Sequence, residues 1–282
     1  MYFDALTTAA ISDELAAHVL GGFVQRVVLP NRESIALEVY AHHERHQLLI
    51  TIDPAHPRAL LVSARPTAQP GLVTPFGLLL RKHVLDGVVE AIDQPAGERI
   101  VSLSIAKRHE GNNVTVWLHA ELMGKHSNLM LLDAGRETVL ESAKRVTPEM
   151  SSVRPILPKK PYLPPPARSG LPPHRVGPVE LQDLVSTAKP TAALSQALVT
   201  GVAGLSPLAA REVAFRAGGD AQARAGDWTD WPALTRELRR LASLWATRDW
   251  QPCVARSDAG VVAYAPYELR HLEAAATLEH LP

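Results

Sequence analysis

A single cysteine, Cys253, occurs in 282 residues. That excludes a disulfide framework within the chain and any cysteine-rich zinc module. Net charge is missing as well, since 29 Lys and Arg residues offset 29 Asp and Glu residues. No whole-chain basic excess announces nucleic-acid binding, so any basic face has to be local and balanced elsewhere. No apolar run approaches the roughly 18 residues that a membrane span needs. The N-terminal stretch MYFDALTTAAISDELAAHVL carries Asp4, Asp13 and Glu14 and no basic leader, so it is not a secretory signal. A P-loop, a G-x-S-x-G elbow and a metal cluster are all lacking. Cys253 has no evident activating partner and reads as a packed thiol. These absences give the expectation of a cytoplasmic protein with no catalytic residue, no metal and no cofactor.

What is present looks globular: 46% hydrophobic and 21% charged residues. The length suggests about two domains. Residues 6–20 carry apolar positions at helical spacing, with Asp4 or Thr7 to cap them and Gly21-Gly22 to stop them. FVQRVVL (23–29), SIALEVYA (34–41), QLLITID (47–53) and RALLVSA (58–64) read as strands. Residues 74–86 read as a second helix, with Thr74 as N-cap, Pro75 in the first position and Gly87 just past the end. Strands follow near 88–93, 99–107, 114–122, 129–133 and 138–146. The fold class expected for residues 1–154 is therefore α+β, an antiparallel β-sandwich or partly closed barrel with two helices.

Residues 155–178 hold nine prolines: 155, 158, 161, 164, 165, 166, 172, 173 and 178. They read as an extended linker made basic by Lys159, Lys160, Arg168 and Arg175. It is either a solvated tether or a strap against RNA phosphates. Residues 179–282 read as a helical domain ending in a hairpin that turns at Asp258-Ala259-Gly260. Within it Gly201, Gly204 and Ser206 join two candidate helices in a helix-hairpin-helix pattern. Such a hairpin either offers helix N-terminal N–H groups to a phosphate or simply packs two helices.

The richest stretch is ELMGKHSNLMLL (121–132). A strand ending at Glu121 runs into a turn of Gly124, Lys125, His126, Ser127 and Asn128, which puts four polar donors in consecutive positions before Met130. Such a turn grips phosphate or sugar, or else is a solvated hairpin. Glu98 and Arg99 follow Gly97 at a strand start and can pair with a nucleotide or with each other. Arg81, Lys82 and His83 stand about 100° apart on a helix, so at most two face one partner. Lys144, Arg145 and Arg154 form a local basic excess. His42, His43 and His46 in HHERH have spacing that can bind metal, but between two strands they read as a hairpin tip with Glu44 and Arg45.

ELMGKHSNLMLLD (121–133), TPFGLLLRKHVLDG (74–87), QPAGERIVSLSI (94–105) and AKRVTPEMSSVRPILPKKPYLPPP (143–166) resemble, in order, segments of the NFACT family. GVAGLSPLAAREVAFRAG (201–218) resembles its helical module. Bacterial RqcH-like proteins and eukaryotic NEMF are among the members. The resemblance implies a glycosylase-like N-terminal domain followed by a helix-hairpin-helix domain. It implies RNA partners: tRNA, alanyl-tRNA in particular, and the large ribosomal subunit carrying peptidyl-tRNA, with template-free alanine tailing as the outcome. It ties an Asp-Arg pair to tRNA, where this chain has Glu98-Arg99 with the carboxylate one methylene further out. Arg81, Lys82, Glu121, the 124–128 turn, Lys144 and Arg145 are the other RNA-contact candidates. The family continues into coiled-coil arms, so the chain is expected to be part of a longer protein. Two alternatives remain. One is a glycosylase-fold nucleic-acid-binding protein without the reaction, since Met1-Tyr2-Phe3 supplies no N-terminal proline nucleophile. The other is a fibronectin-binding adhesin, as an older family label has it.

Overall fold

The computed structural model describes residues 3–109, 112–166 and 169–281, so Met1, Tyr2 and the linker residue Arg168 lie outside the described residues. Two units result. One comprises Ile11–Pro95 and Arg99–Pro165; the other comprises the residues up to Ala10, Ala96–Glu98 and the chain from Pro166 onward. Helix α1 (Ala5–Val19) contributes to both. Asp4 caps it, accepting a hydrogen bond from the Thr7 N–H at 2.9 Å. Gly21 takes φ +75 in the turn after it. A Cβ on Gly22 would lie 2.6 Å from a methyl of Val39, so only glycine fits there.

The first unit is built on a nine-stranded antiparallel sheet. Its strands are β1 (Phe23–Asn31), β2 (Ser34–Ala41), β3 (Glu44–Thr51), β4 (Arg58–Val62), β5 (Val88–Asp93), β6 (Ile100–His109), β7 (Asn112–Glu121), β8 (Asn128–Leu132) and β9 (Val139–Ser142). They lie in the order β4-β3-β2-β1-β5-β6-β7-β8-β9. Helix α2 (Pro75–His83) starts as expected, with the Thr74 hydroxyl accepting from the Gly77 N–H. It packs against β1 and also against β7, β8 and β9. Touching strands so far apart in the order, it shows that the sheet curls around it. Leu37, Leu48, Ile50, Leu80, Leu103, Leu118 and Leu129 fill the interior.

Three local expectations change. The β2–β3 hairpin turns on His42 and His43, at φ +51 and +68, the positive pair that a type I′ turn requires. Glu44 and Arg45 therefore belong to β3 and not to the tip. Gly87 is needed for close approach rather than as a left-handed cap. Asp86 takes the positive φ, and a Gly87 Cβ would lie 2.5 Å from Ile105. Residues 155–165 group with the sheet: Ile156 pairs with Val146 and Pro161 with Thr138, extending the ladder on β9. Lys159 and Lys160 are exposed on this segment.

The second unit holds α3 (Pro178–Ser186), α4 (Leu194–Gly201), α5 (Pro207–Gly218) and α6 (Trp231–Thr247). A small antiparallel sheet follows, with β10 (Cys253–Ser257) between β11 (Gly260–Ala265) and β12 (Thr277–His280). Leu194, Leu198, Val213, Leu234, Leu238, Ala255 and Leu269 make one core. Cys253 lies in it, and burial pushes its thiol above the usual range. Thus the chain is an α+β sandwich-like sheet domain followed by a helical bundle of helix-hairpin-helix type. Among the described residues no helix is long and apolar enough to cross a membrane.

Candidate functional site

Antiparallel pairing brings the start of β6, the end of β7, the start of β8 and the end of β9 to one end of the sheet. Arg99 immediately precedes β6, and its carbonyl accepts from the Leu122 N–H at 2.8 Å. Two residues after Leu122, Gly124–His126 form a 3₁₀ turn, with Gly124 at φ +62. The four consecutive donors of this turn divide by direction. Lys125 and His126 are exposed, and their side chains make no hydrogen bond or ion pair with the described residues. Ser127 and Asn128 are 2% exposed and spend their polar atoms inside the fold. The Ser127 hydroxyl accepts from the Met123 N–H at 2.8 Å. The Asn128 amide accepts from the Lys144 N–H at 3.0 Å and donates to the Lys144 carbonyl at 2.7 Å. Asn128 thereby fixes Lys144 and Arg145 beside the turn. Lys144 Nζ reaches Glu33 at 2.9 Å and the Ile52 carbonyl at 3.1 Å. Arg145 pairs with Glu141 through two hydrogen bonds, while half its side chain stays open to solvent.

Behind this end lies a buried polar chain that the sequence did not announce. Glu121 is fully buried, so it serves the fold and is not on the surface. Arg154 grips it with both terminal nitrogens, at 2.7 and 2.5 Å. The Tyr162 hydroxyl donates to Glu121 at 2.9 Å and meets His119 Nε2 at 2.8 Å. His119 Nδ1 meets the Ser102 hydroxyl at 2.8 Å. The bonds are consistent in one direction: Ser102 donates to His119 Nδ1, Nε2–H donates to Tyr162, and Tyr162 donates to Glu121. Burial opposes charge on Glu121, yet His119, whose Nε2 lies 3.6 Å away, and the bonds from Arg154 hold its carboxyl below the usual range. The Tyr162 hydroxyl is pushed up by burial and by the neighbouring carboxylate. This chain of bonds pins residues 154–162 to the sheet.

Arg81 and Lys82 are exposed on α2, but at the other end of the sheet from the turn. The Lys82 carbonyl accepts from Lys107 Nζ at 3.2 Å. Lys107 is eight residues along the strand from Arg99, roughly 27 Å at strand rise. The Arg81–Lys82 pair and the Lys125–His126 turn are therefore separate surfaces.

Glu98 groups with the helical unit, whereas Arg99 groups with the sheet. In the helical unit Glu98 lines an open groove of about 830 Å³, together with Pro173, His174, Gly204, Arg239 and Trp245. The Trp245 indole nitrogen is buried there with no hydrogen-bond partner among the described residues. The hairpin glycines serve packing. A Cβ on Gly201 would lie 2.2 Å from Leu184, and Gly204 takes φ +78. Ser206 caps α5, accepting from the Ala209 N–H at 3.1 Å. Its hydroxyl donates to the Asp4 carboxylate at 2.6 Å. This helix N-terminus is thus already served by a carboxylate of the chain itself.

Comparison with known proteins places this geometry in a family. The description "NFACT N-terminal and middle domains" matches residues 4–281. The Rqc2 homolog RqcH of Bacillus subtilis (strain 168) is 31% identical over 219 residues, covering 77% of this chain and 38% of that protein. The Rqc2 homolog RqcH of Streptococcus pneumoniae (serotype 2) is 29% identical over 203 residues, covering 72% of this chain and 37% of that protein. The chain therefore spans well under half the length of the curated relatives it matches. Among solved structures, the N-terminal part of a fibronectin/fibrinogen-binding protein from Streptococcus suis superimposes with a TM-score of 0.74 at 26% identity, covering 96% of this chain and 92% of that one. A fibrinogen-binding protein from Staphylococcus aureus shares the fold, with a TM-score of 0.78 at 22% identity over 100% of this chain and 95% of that one. The chain is homologous to bacterial RqcH-like proteins, and with its N-terminal and middle domains it belongs to the NFACT family.

Proposed function

We propose that this chain is the RNA-binding part of a ribosome-associated quality-control factor. It engages tRNA on large ribosomal subunits that carry a stalled peptidyl-tRNA, and helps recruit alanyl-tRNA for template-free alanine tailing. The observation that carries the reading is the gathering of Arg99, Lys125, His126, Lys144 and Arg145 at one end of strands β6–β9, in a member of this family. A cationic rim of this kind, on a chain of zero net charge, suits a phosphate backbone and directs it to one place. Peptide-bond chemistry is the ribosome's in this reading, and the protein acts by positioning. Glu98 supplies a carboxylate that accepts from nucleobase amino groups, and Arg99, next in sequence, supplies a guanidinium for phosphate.

Retention of tRNA on the immobilised chain, followed by sequencing, tests this. Wild type is compared with Glu98→Ala/Arg99→Ala and with Lys125→Ala/His126→Ala at low and moderate salt. Enrichment of alanine tRNA that both double variants lose is the expected result. No tRNA retained by wild type at any salt would overturn the reading for this chain. A second reading, protein-ligand adhesion, is favoured by the name of the Streptococcus suis relative. It predicts retention of fibronectin or fibrinogen on the same resin, without competition by tRNA.

A further inference from the structure

Away from that rim, the sheet carries an open aromatic row. Register pairs Arg45 with Tyr40, Tyr40 with Phe23, and Phe23 with Val88, across β3, β2, β1 and β5. Residues directly opposite one another in a ladder project from the same face. Strand β2 is buried along its length except at Tyr40. Phe23 is 41%, Tyr40 40% and Val88 38% exposed. Two neighbouring aromatic side chains thus meet solvent on one face of the sheet. Leu20, just past α1, is exposed close by in sequence.

Guanidinium groups lie beside this row, whose strands also carry exposed Glu44 on β3 and Glu90 on β5. On β1 and β2, past Val24–Val39 and a bulge, Arg26 pairs with Glu38. Arg65 reaches Glu38 at 2.8 Å, and Arg45 approaches it at 3.8 Å while bonding Gln25 at 3.2 Å. Two guanidinium groups, on Arg45 and Arg65, therefore share one carboxylate, while Arg26, opposite Glu38 in register, donates to the Pro66 carbonyl at 3.1 Å. The Arg45 and Arg65 side chains are 66% and 63% exposed. Their positive excess stands beside the two rings.

We propose that this face, with Phe23 and Tyr40 as stacking platforms and Arg45 and Arg65 as phosphate contacts, is a second RNA site that takes an unpaired, single-stranded segment. The inference rests on the RNA-binding reading above but concerns a different surface. Planar rings flanked by guanidinium groups suit splayed-out bases along a backbone, because every base has a π-face. A duplex keeps its bases stacked inside and offers the rings nothing. An apolar protein partner would ask for a broader hydrophobic patch than two rings and a valine, and for a less cationic border.

The test is fluorescence anisotropy of the 282-residue chain with a labelled oligouridine 12-mer, and with an RNA duplex of the same length. Phe23→Leu and Tyr40→Leu keep apolar area but remove the π-face; Phe23→Tyr and Tyr40→Phe keep the π-face. Each Leu variant is expected to weaken oligouridine binding about tenfold or more, from the usual worth of one base–aromatic stack. The conservative variants should stay within about twofold, and duplex binding should not change. Both side chains are well exposed, and a thermal melt checks that each variant is folded. Unchanged affinity in both Leu variants, with wild type binding oligouridine, overturns this site and leaves the tRNA reading standing. Failure of wild type to bind any RNA overturns both. Oligouridine binding kept by the Leu variants together with loss of a captured protein partner would assign the face to protein instead.

Discussion

Removing the Arg154 guanidinium should loosen the sheet unit more than any other single surface-charge change. In Arg154→Met the fully buried Glu121 loses two hydrogen bonds of 2.7 and 2.5 Å and keeps the one from Tyr162 and the approach of His119 Nε2 at 3.6 Å. Breaking one side of a buried pair costs about 3–5 kcal/mol, because an uncompensated charge is left behind. The loss should depend on pH. In wild type the Glu121 pKa is lowered from 4.5, despite burial, by nearby His119 and by its bonds to Arg154. Its contribution is present above pH 4.5 and fades as pH falls through the lower folded value. Without Arg154, burial dominates and the folded pKa rises above the unfolded one. The variant is then penalised most at neutral pH and is relieved as acid protonates Glu121. Hydrogen exchange read by mass spectrometry on peptides covering 112–121 and 154–163 localises the effect to this unit. Protection in both should fall in Arg154→Met at pH 7, and the gap from wild type should narrow towards pH 5. Adding Glu121→Gln should restore part of the loss, since coupled neighbours are not additive. Wild-type protection at pH 7 in Arg154→Met, or a gap that widens in acid, would refute this account.

Tyr162→Phe should cost about 1–3 kcal/mol, because it leaves both Glu121 and His119 short of a partner in a buried place; a urea midpoint indistinguishable from wild type would count against the bond chain. Gly201→Ala should destabilise by about 1–3 kcal/mol, since its methyl would lie 2.2 Å from Leu184 and force α3 away from α4. A calorimetric melt reads this, and an unchanged melt would mean that Leu184 yields freely. Lys125→Ala should make the plot of log affinity for tRNA against log salt shallower by about one unit. Lys144→Ala should change that slope less, because Lys144 already pairs with Glu33; equal slopes for both variants would contradict the division between free and engaged lysines.

Much of the architecture was legible in the chain. Alternation in SIALEVYA and the Thr74-Pro75 start place β2 and α2 correctly because periodicity and capping are local: each depends on residues within a turn or a strand length. The single cysteine excluded an internal disulfide for the same arithmetic reason. Tertiary structure alone decided which polar residues meet and which face solvent. Lys125, His126, Ser127 and Asn128 look equivalent in sequence, yet only the first two point outward. That outcome depends on Lys144, sixteen residues further on, whose backbone Asn128 binds. Glu121 reads as a surface acid at the end of a strand. It is interior because Arg154 and, from a proline-rich stretch that composition alone marks as tether, Tyr162 fold back onto it. Arg81-Lys82 and the turn are both basic, and only strand length and direction put them at opposite ends. Phe23, Tyr40 and Val88 are distant in sequence and become one row through register across β1, β2 and β5. Periodicity tells a residue which side of its own strand it occupies. Only the packing of other strands tells it whether that side is covered, and that is a property of the whole sheet.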